Sequence, residues 1–121
     1  MIVVSDTTPL ISLLKINSLN ILEKLFGKVL IPQAVFDELT VDERFKLEAE
    51  QIMSNKFVSV KPVSNVASVS ILKRATGLDQ GESEAIVLTD ELKADLLLMD
   101  EAKGRTVSNQ MGLNRNFNGS L

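Results

Sequence analysis

A chain of 121 residues with a formal net charge of −3 and no His, Cys, Trp or Tyr has room for one domain and not for two ordinary ones. Without Cys there is no disulfide frame, thiolate nucleophile or zinc–sulfur site, and without His there is no Ser-His-Asp triad, imidazole base or imidazole metal ligand. The acidic balance and an aromatic content of 4%, all of it Phe, count against a passive nucleic-acid binder held by a basic field or by base stacking.

In chain order, Ile2-Val3-Val4 is a β-branched run closed by Ser5-Asp6 and reads as a buried parallel strand. Asp6-Thr7-Thr8-Pro9 is a helix start, with Leu10, Ile11, Leu13 and Leu14 following. A second helix is expected over residues 18–26, stopped by Gly27, and a second strand at Val29-Leu30-Ile31. Pro32 opens a helix running through Leu39, and Phe45, Ala49, Ile52 and Met53 repeat at helical spacing within the charged stretch 41–55. Phe57-Val58-Ser59-Val60 alternates as a strand, residues 66–75 are more helical than not, and Asp79 caps a helix over residues 80–93. Asp95-Leu96-Leu97-Leu98-Met99 is a strand ending at Asp100, and a helix over residues 101–111 closes at Gly112. Strands alternating with helices in this way predict one α/β domain over residues 1–121, a three-layer α/β/α sandwich with a mainly parallel sheet.

Two acids, Asp6 and Asp100, follow apolar strands directly, at the edge where open parallel sheets bind ligands. Each is equally read as a helix N-cap, a position Asp fills well. At about 100° per residue, Glu38 shares an apolar arc with Val35 and Leu39 while Asp37 points away. In the later helix Glu82 lies within the arc of Ala85, Ile86, Leu88 and Leu92, whereas Glu84 and Glu91 fall outside it, Glu84 at the rim or in solvent. Four acids converging without inward cations would repel by roughly 3 kcal/mol per pair at ~5 Å and an effective dielectric near 20. Such a cluster either holds protons or binds hard divalent cations through oxygen, and Mg²⁺ or Mn²⁺ is the reading adopted here.

These residues resemble a known family. Ser5-Asp6-Thr7-Thr8-Pro9-Leu10-Ile11, residues 31–39, Gly81-Glu82-Ser83-Glu84-Ala85-Ile86, residues 94–101 and Gly104-Arg105 closely resemble the PIN-domain family, nearest its VapC-like branch, over almost the whole chain. The resemblance implies a Mg²⁺/Mn²⁺-dependent ribonuclease, in many members the toxin of a toxin–antitoxin pair. It implies RNA as substrate, a cognate antitoxin protein as partner and a homodimer. The family's acids fall on Asp6, Glu38, Glu82 and Asp100, as metal ligands that activate a water for attack on a phosphodiester. Thr7, Thr8 and Arg105 are candidate substrate contacts, Arg105 through a bidentate phosphate bond, each with a capping, solvated or dipole role as the alternative. Residues 114–121 depart from the family pattern, which continues through a Gly-Thr-type motif into a last helix, so the chain is expected to be truncated or divergent after about residue 113.

Two rival readings stand beside this one. A catalytically degenerate PIN-like domain would serve only in binding or assembly. A haloacid-dehalogenase-like phosphatase would use Asp6 as nucleophile, but it needs a second Asp two positions on, where Thr8 stands, and gives Glu82 no part. No apolar run approaches the ~20 residues needed to span a bilayer, and Met1-Ile2-Val3-Val4-Ser5-Asp6 lacks the basic region of a signal peptide. A cytoplasmic protein with no membrane partner is the expectation.

Overall fold

In the computed structural model, which describes residues 1–100, the four apolar runs become strands β1 (Val3–Ser5), β2 (Val29–Ile31), β3 (Val58–Val60) and β4 (Leu96–Leu98). Between them lie helices α1 (Thr7–Lys15), α2 (Asn20–Phe26), α3 (Gln33–Val41), α4 (Lys46–Met53), α5 (Val66–Thr76) and α6 (Gln80–Leu92), with a 3₁₀ turn at Glu43–Phe45 before α4. Differences from the sequence reading are confined to ends. The second helix begins at Asn20 rather than residue 18, the third runs two residues past Leu39, and β4 is shorter than the run 95–99. Pro32 does not enter α3. It occupies the N-cap position in an extended conformation (φ −72°, ψ 164°), where its missing N–H removes no helical bond. The helix expected over residues 101–111, Gly112 and the divergent tail lie outside the described residues.

All strand pairs are parallel, in the spatial order β3-β2-β1-β4. Side-chain alternation along β1 then divides the core. Val3, Val29, Ile31 and Val58 pack against α1–α4, with Leu10, Leu22, Val35, Leu39 and Ile52 completing that layer. Val4 and Leu97 face the other way, into α5 and α6 through Val69, Leu72, Ala85, Ile86 and Leu88. Burying each such side chain contributes roughly 1.5–3 kcal/mol, so both layers are held by the same force.

The strand order fixes where a ligand belongs. From β1 the chain steps to β2 and β3 on one side, then crosses to β4 on the other. The reversal lies between β1 and β4, and crevices in open α/β sheets form outside the carboxyl ends of the strands at such a point. Helix α3 from one layer and α6 from the other meet over that edge. Asp6 follows β1 there, its backbone N–H bonding the Leu98 carbonyl of β4 at 2.9 Å.

Candidate functional site

Asp6 holds the N-cap position of α1 in extended backbone (φ −82°, ψ 176°), yet its side chain makes no capping hydrogen bond. The reason is partly covalent. A capping oxygen bonds the amide of the second or third helical residue, and the third residue of α1 is Pro9, which has no N–H. The carboxyl is instead buried at the crevice, with the residue 4% exposed. Burial pushes its pKa up to about 7; the Thr7 backbone N–H pulls it down, and the charges of Glu82, Asp79 and Glu38 push it up again. A carboxylate in that state favours either a proton or a cation.

Glu38 comes to the same place from α3. The residue is exposed along its stem, but Oε2 accepts a 2.8 Å hydrogen bond from the Thr7 hydroxyl. Gly81 of α6 shows how close the groups are: a Cβ there would stand 3.4 Å from Glu38 Oε2, 3.5 Å from Val35 Cγ2 and 3.7 Å from Asp6 Oδ1. Glycine at this position leaves an opening faced by two carboxylates from different helices. Glu38, expected within an apolar arc, is therefore exposed as a residue, and what brings its Oε2 to the opening is the hydrogen bond from Thr7.

Glu82 is buried, 5% exposed, as its helical phase predicts. Its Oε1 accepts the Asp79 N–H at 3.0 Å while Asp79 Oδ1 accepts the Glu82 N–H at 2.8 Å, a complete capping box. It thus closes the start of α6 as well as bringing charge to Asp6. Asp100 is exposed, two residues beyond β4 at the carboxyl edge of the sheet. Thr7 is buried and its hydroxyl is committed to Glu38, which makes it a positioning group for that carboxylate. Thr8 is exposed. Arg105 lies outside the described residues.

Three features were not anticipated from the sequence. Glu84, expected at the rim or in solvent, is half-buried, and its Oε1 accepts the Ala34 N–H at the start of α3, tying α6 to α3. Asp79, read only as a cap, also raises Asp6. An open groove of about 450 Å³ runs along this junction, lined by Ala34, Asp37, Glu38, Val41, Asp79, Gln80 and Gly81. A capping-box pattern, Asp-x-x-Glu at 79–82, was legible; the pairing of Glu84 with an amide fifty positions away was not.

An all-oxygen donor set facing a glycine-lined opening fits a hard divalent cation. Among the described residues no group of three acids stands close enough to hold one by side chains alone.

No helix among the described residues is long and apolar enough to cross a membrane. No curated protein and no solved structure matches the chain. A family model described as a PIN domain matches residues 2–119, the span that carries the parallel sheet, the acids at its carboxyl edge and the Gly81 opening, and the chain belongs to the PIN-domain family.

Proposed function

We propose that this protein is a divalent-metal-dependent endoribonuclease of the VapC-like type, the toxin of a toxin–antitoxin pair. The observation that carries the reading is the approach of Asp6 and Glu38 to one opening at Gly81, with the Asp6 carboxyl raised to about 7 at the switch point of a parallel sheet. Membership of the PIN-domain family supports nuclease chemistry, and an acid set without His or Cys suits Mg²⁺ or Mn²⁺.

In this reading Asp6 and Glu38, together with Glu82 and Asp100, would hold the cation. When bound, the cation supplies charge stabilisation at the phosphodiester and a more acidic water. The protein's own part is positional. Thr7 fixes Glu38 through its hydroxyl, and the Thr7 amide steadies Asp6. Burial and neighbouring acids raise Asp6 to about 7, and a cation held beside it would favour its ionised form. Gly81 keeps the space between the carboxylates open. Residues 1–121 act as one domain, with a cognate antitoxin and a second copy of the chain as partners.

Single-stranded RNA incubated with purified protein and Mn²⁺ should be cut internally, and EDTA, Asp6→Asn or Asp100→Asn should each stop the cleavage. Cleavage surviving both substitutions would overturn the site. Hydrolysis of a phosphomonoester without RNA cleavage would favour the phosphatase. Inactivity on both would favour the binding module.

A further inference from the structure

The acids that suit a cation repel a phosphate chain, so a nuclease with this groove needs a fixed positive charge beside it. The return from α5 to α6 supplies one. Gly77 ends α5 in the left-handed conformation, its N–H on the Lys73 carbonyl at 2.9 Å, and residues 77–79 bring the last turn of α5 beside the first turn of α6. Lys73 Nζ there donates to Gln80 Oε1 at 2.9 Å. Gln80 lines the groove next to Gly81, and its amide nitrogen donates to Glu84 Oε2 at 2.7 Å. Glu84 in turn accepts the Ala34 N–H in the first turn of α3. One chain of hydrogen bonds thus runs from Lys73 through Gln80 and Glu84 to the far wall of the groove.

What holds Lys73 matters. Gln80 is a neutral amide, so it orients the ammonium without cancelling its charge. Arg44, just past the other end of α3, is in the opposite state: its guanidinium is forked onto Asp42, with Nη2 to Oδ2 at 2.6 Å. Among the described residues that is the ion pair formed, and Lys73 forms none.

We infer that Lys73, held beside the groove by Gln80, anchors a phosphate of single-stranded RNA at the α6 end of the groove. The inference deepens the ribonuclease reading and rests on it. A lysine in the last turn of a helix also suits the helix dipole, so the test must read substrate rather than stability.

Binding of a fluorescent single-stranded oligoribonucleotide is measured against salt concentration in the cleavage-deficient Asp6→Asn background, and steady-state cleavage with Mn²⁺ in the otherwise native chain. Lys73→Gln should raise KM several-fold with kcat nearly unchanged and lower the slope of log affinity against log salt by about 0.7, the value of one single-strand phosphate contact. Gln80→Ala should act in the same direction and less. Lys24→Gln on α2, which lines no part of the groove, should leave the slope unchanged. A protein that cleaves RNA but keeps its KM and salt slope in Lys73→Gln overturns the anchor alone. Failure of the native chain to bind or cleave RNA overturns the ribonuclease reading and the anchor with it. Unchanged RNA binding together with lost association to a protein partner would assign Lys73 to a protein interface and overturn the anchor.

Discussion

Two helices of this protein begin on aspartate in nearly the same backbone conformation, and the two carboxylates do different things. Asp79 starts α6 at φ −76°, ψ 178° and closes a capping box with Glu82. Asp6 starts α1 at φ −82°, ψ 176° and makes no capping bond, the Thr7 amide at the very start of the helix being the backbone N–H its carboxyl takes. The third helical residue separates them: Glu82 offers an N–H to Asp79, and Pro9 has none to offer Asp6. The first carboxylate is spent on its helix. The second is kept for the crevice, at the expense of being buried among other acids.

The largest expected difference is in Asp6→Asn. Under the proposed function it should lower RNA cleavage by about 10²–10³ or more, the scale seen when one charge-stabilising group is removed from a site. The same variant should be more stable than the native chain in urea at pH 8 without metal, because it removes a poorly solvated charge. A loss of stability would mean that Asp6 works chiefly as a cap.

The pH dependence follows from the same group. Its folded pKa, about 7, lies above the ordinary aspartate value of 3.8, so the folded state retains a proton that the unfolded chain releases. The stability it contributes is fully present below about pH 4 and is lost as pH rises through about 7. Integrated over that window the metal-free chain should lose on the order of 4 kcal/mol from this group. Urea midpoints from pH 5 to 8 should show the fall, and Asp6→Asn should flatten it.

Asp79→Ala tests the other half of the pair. Losing the cap should destabilise the chain by about 1 kcal/mol, read in urea unfolding, while metal-dependent cleavage changes far less than in Asp6→Asn. The smallest effect is expected from Pro9→Ala, which gives α1 the missing amide. Asp6 would then turn toward its helix, the fall of stability with pH would shrink, and cleavage would drop several-fold. An unchanged pH profile would show that packing alone, not the missing donor, holds Asp6 in the crevice.

Much of the site was legible in the sequence. Asp6 and Asp100 lie at strand ends because β-branched and leucine-rich runs stop there, and Glu82 is inward because helical phase puts it among Ala85, Ile86 and Leu88. Helical phase sets Glu38 beside Val35 and Leu39, yet the residue is exposed, and only the Thr7 hydroxyl brings its Oε2 to the opening. Periodicity fixes the face of a residue, not the rotamer of a long side chain. Glu84 shows the limit from the other side: its phase pointed away from the apolar arc, and α3 stood there to receive it. Pro9 is the signal that could have been used further, since Asp-x-x-Pro denies a cap that Asp-x-x-Glu provides.

By itself the sequence determined the alternation of strands and helices, the absence of imidazole and thiol chemistry, and the strand ends at which Asp6 and Asp100 stand, because local periodicity and residue chemistry carry that information. Only the tertiary structure decided the order β3-β2-β1-β4 and the meeting of α3 with α6 over Gly81. Only there is the Asp6 carboxyl buried, and brought near the charges of Glu82, Asp79 and Glu38, so that its pKa rises to about 7. Those depend on groups distant in sequence, and the electrostatic field at a carboxylate is the sum over neighbours that folding alone brings near.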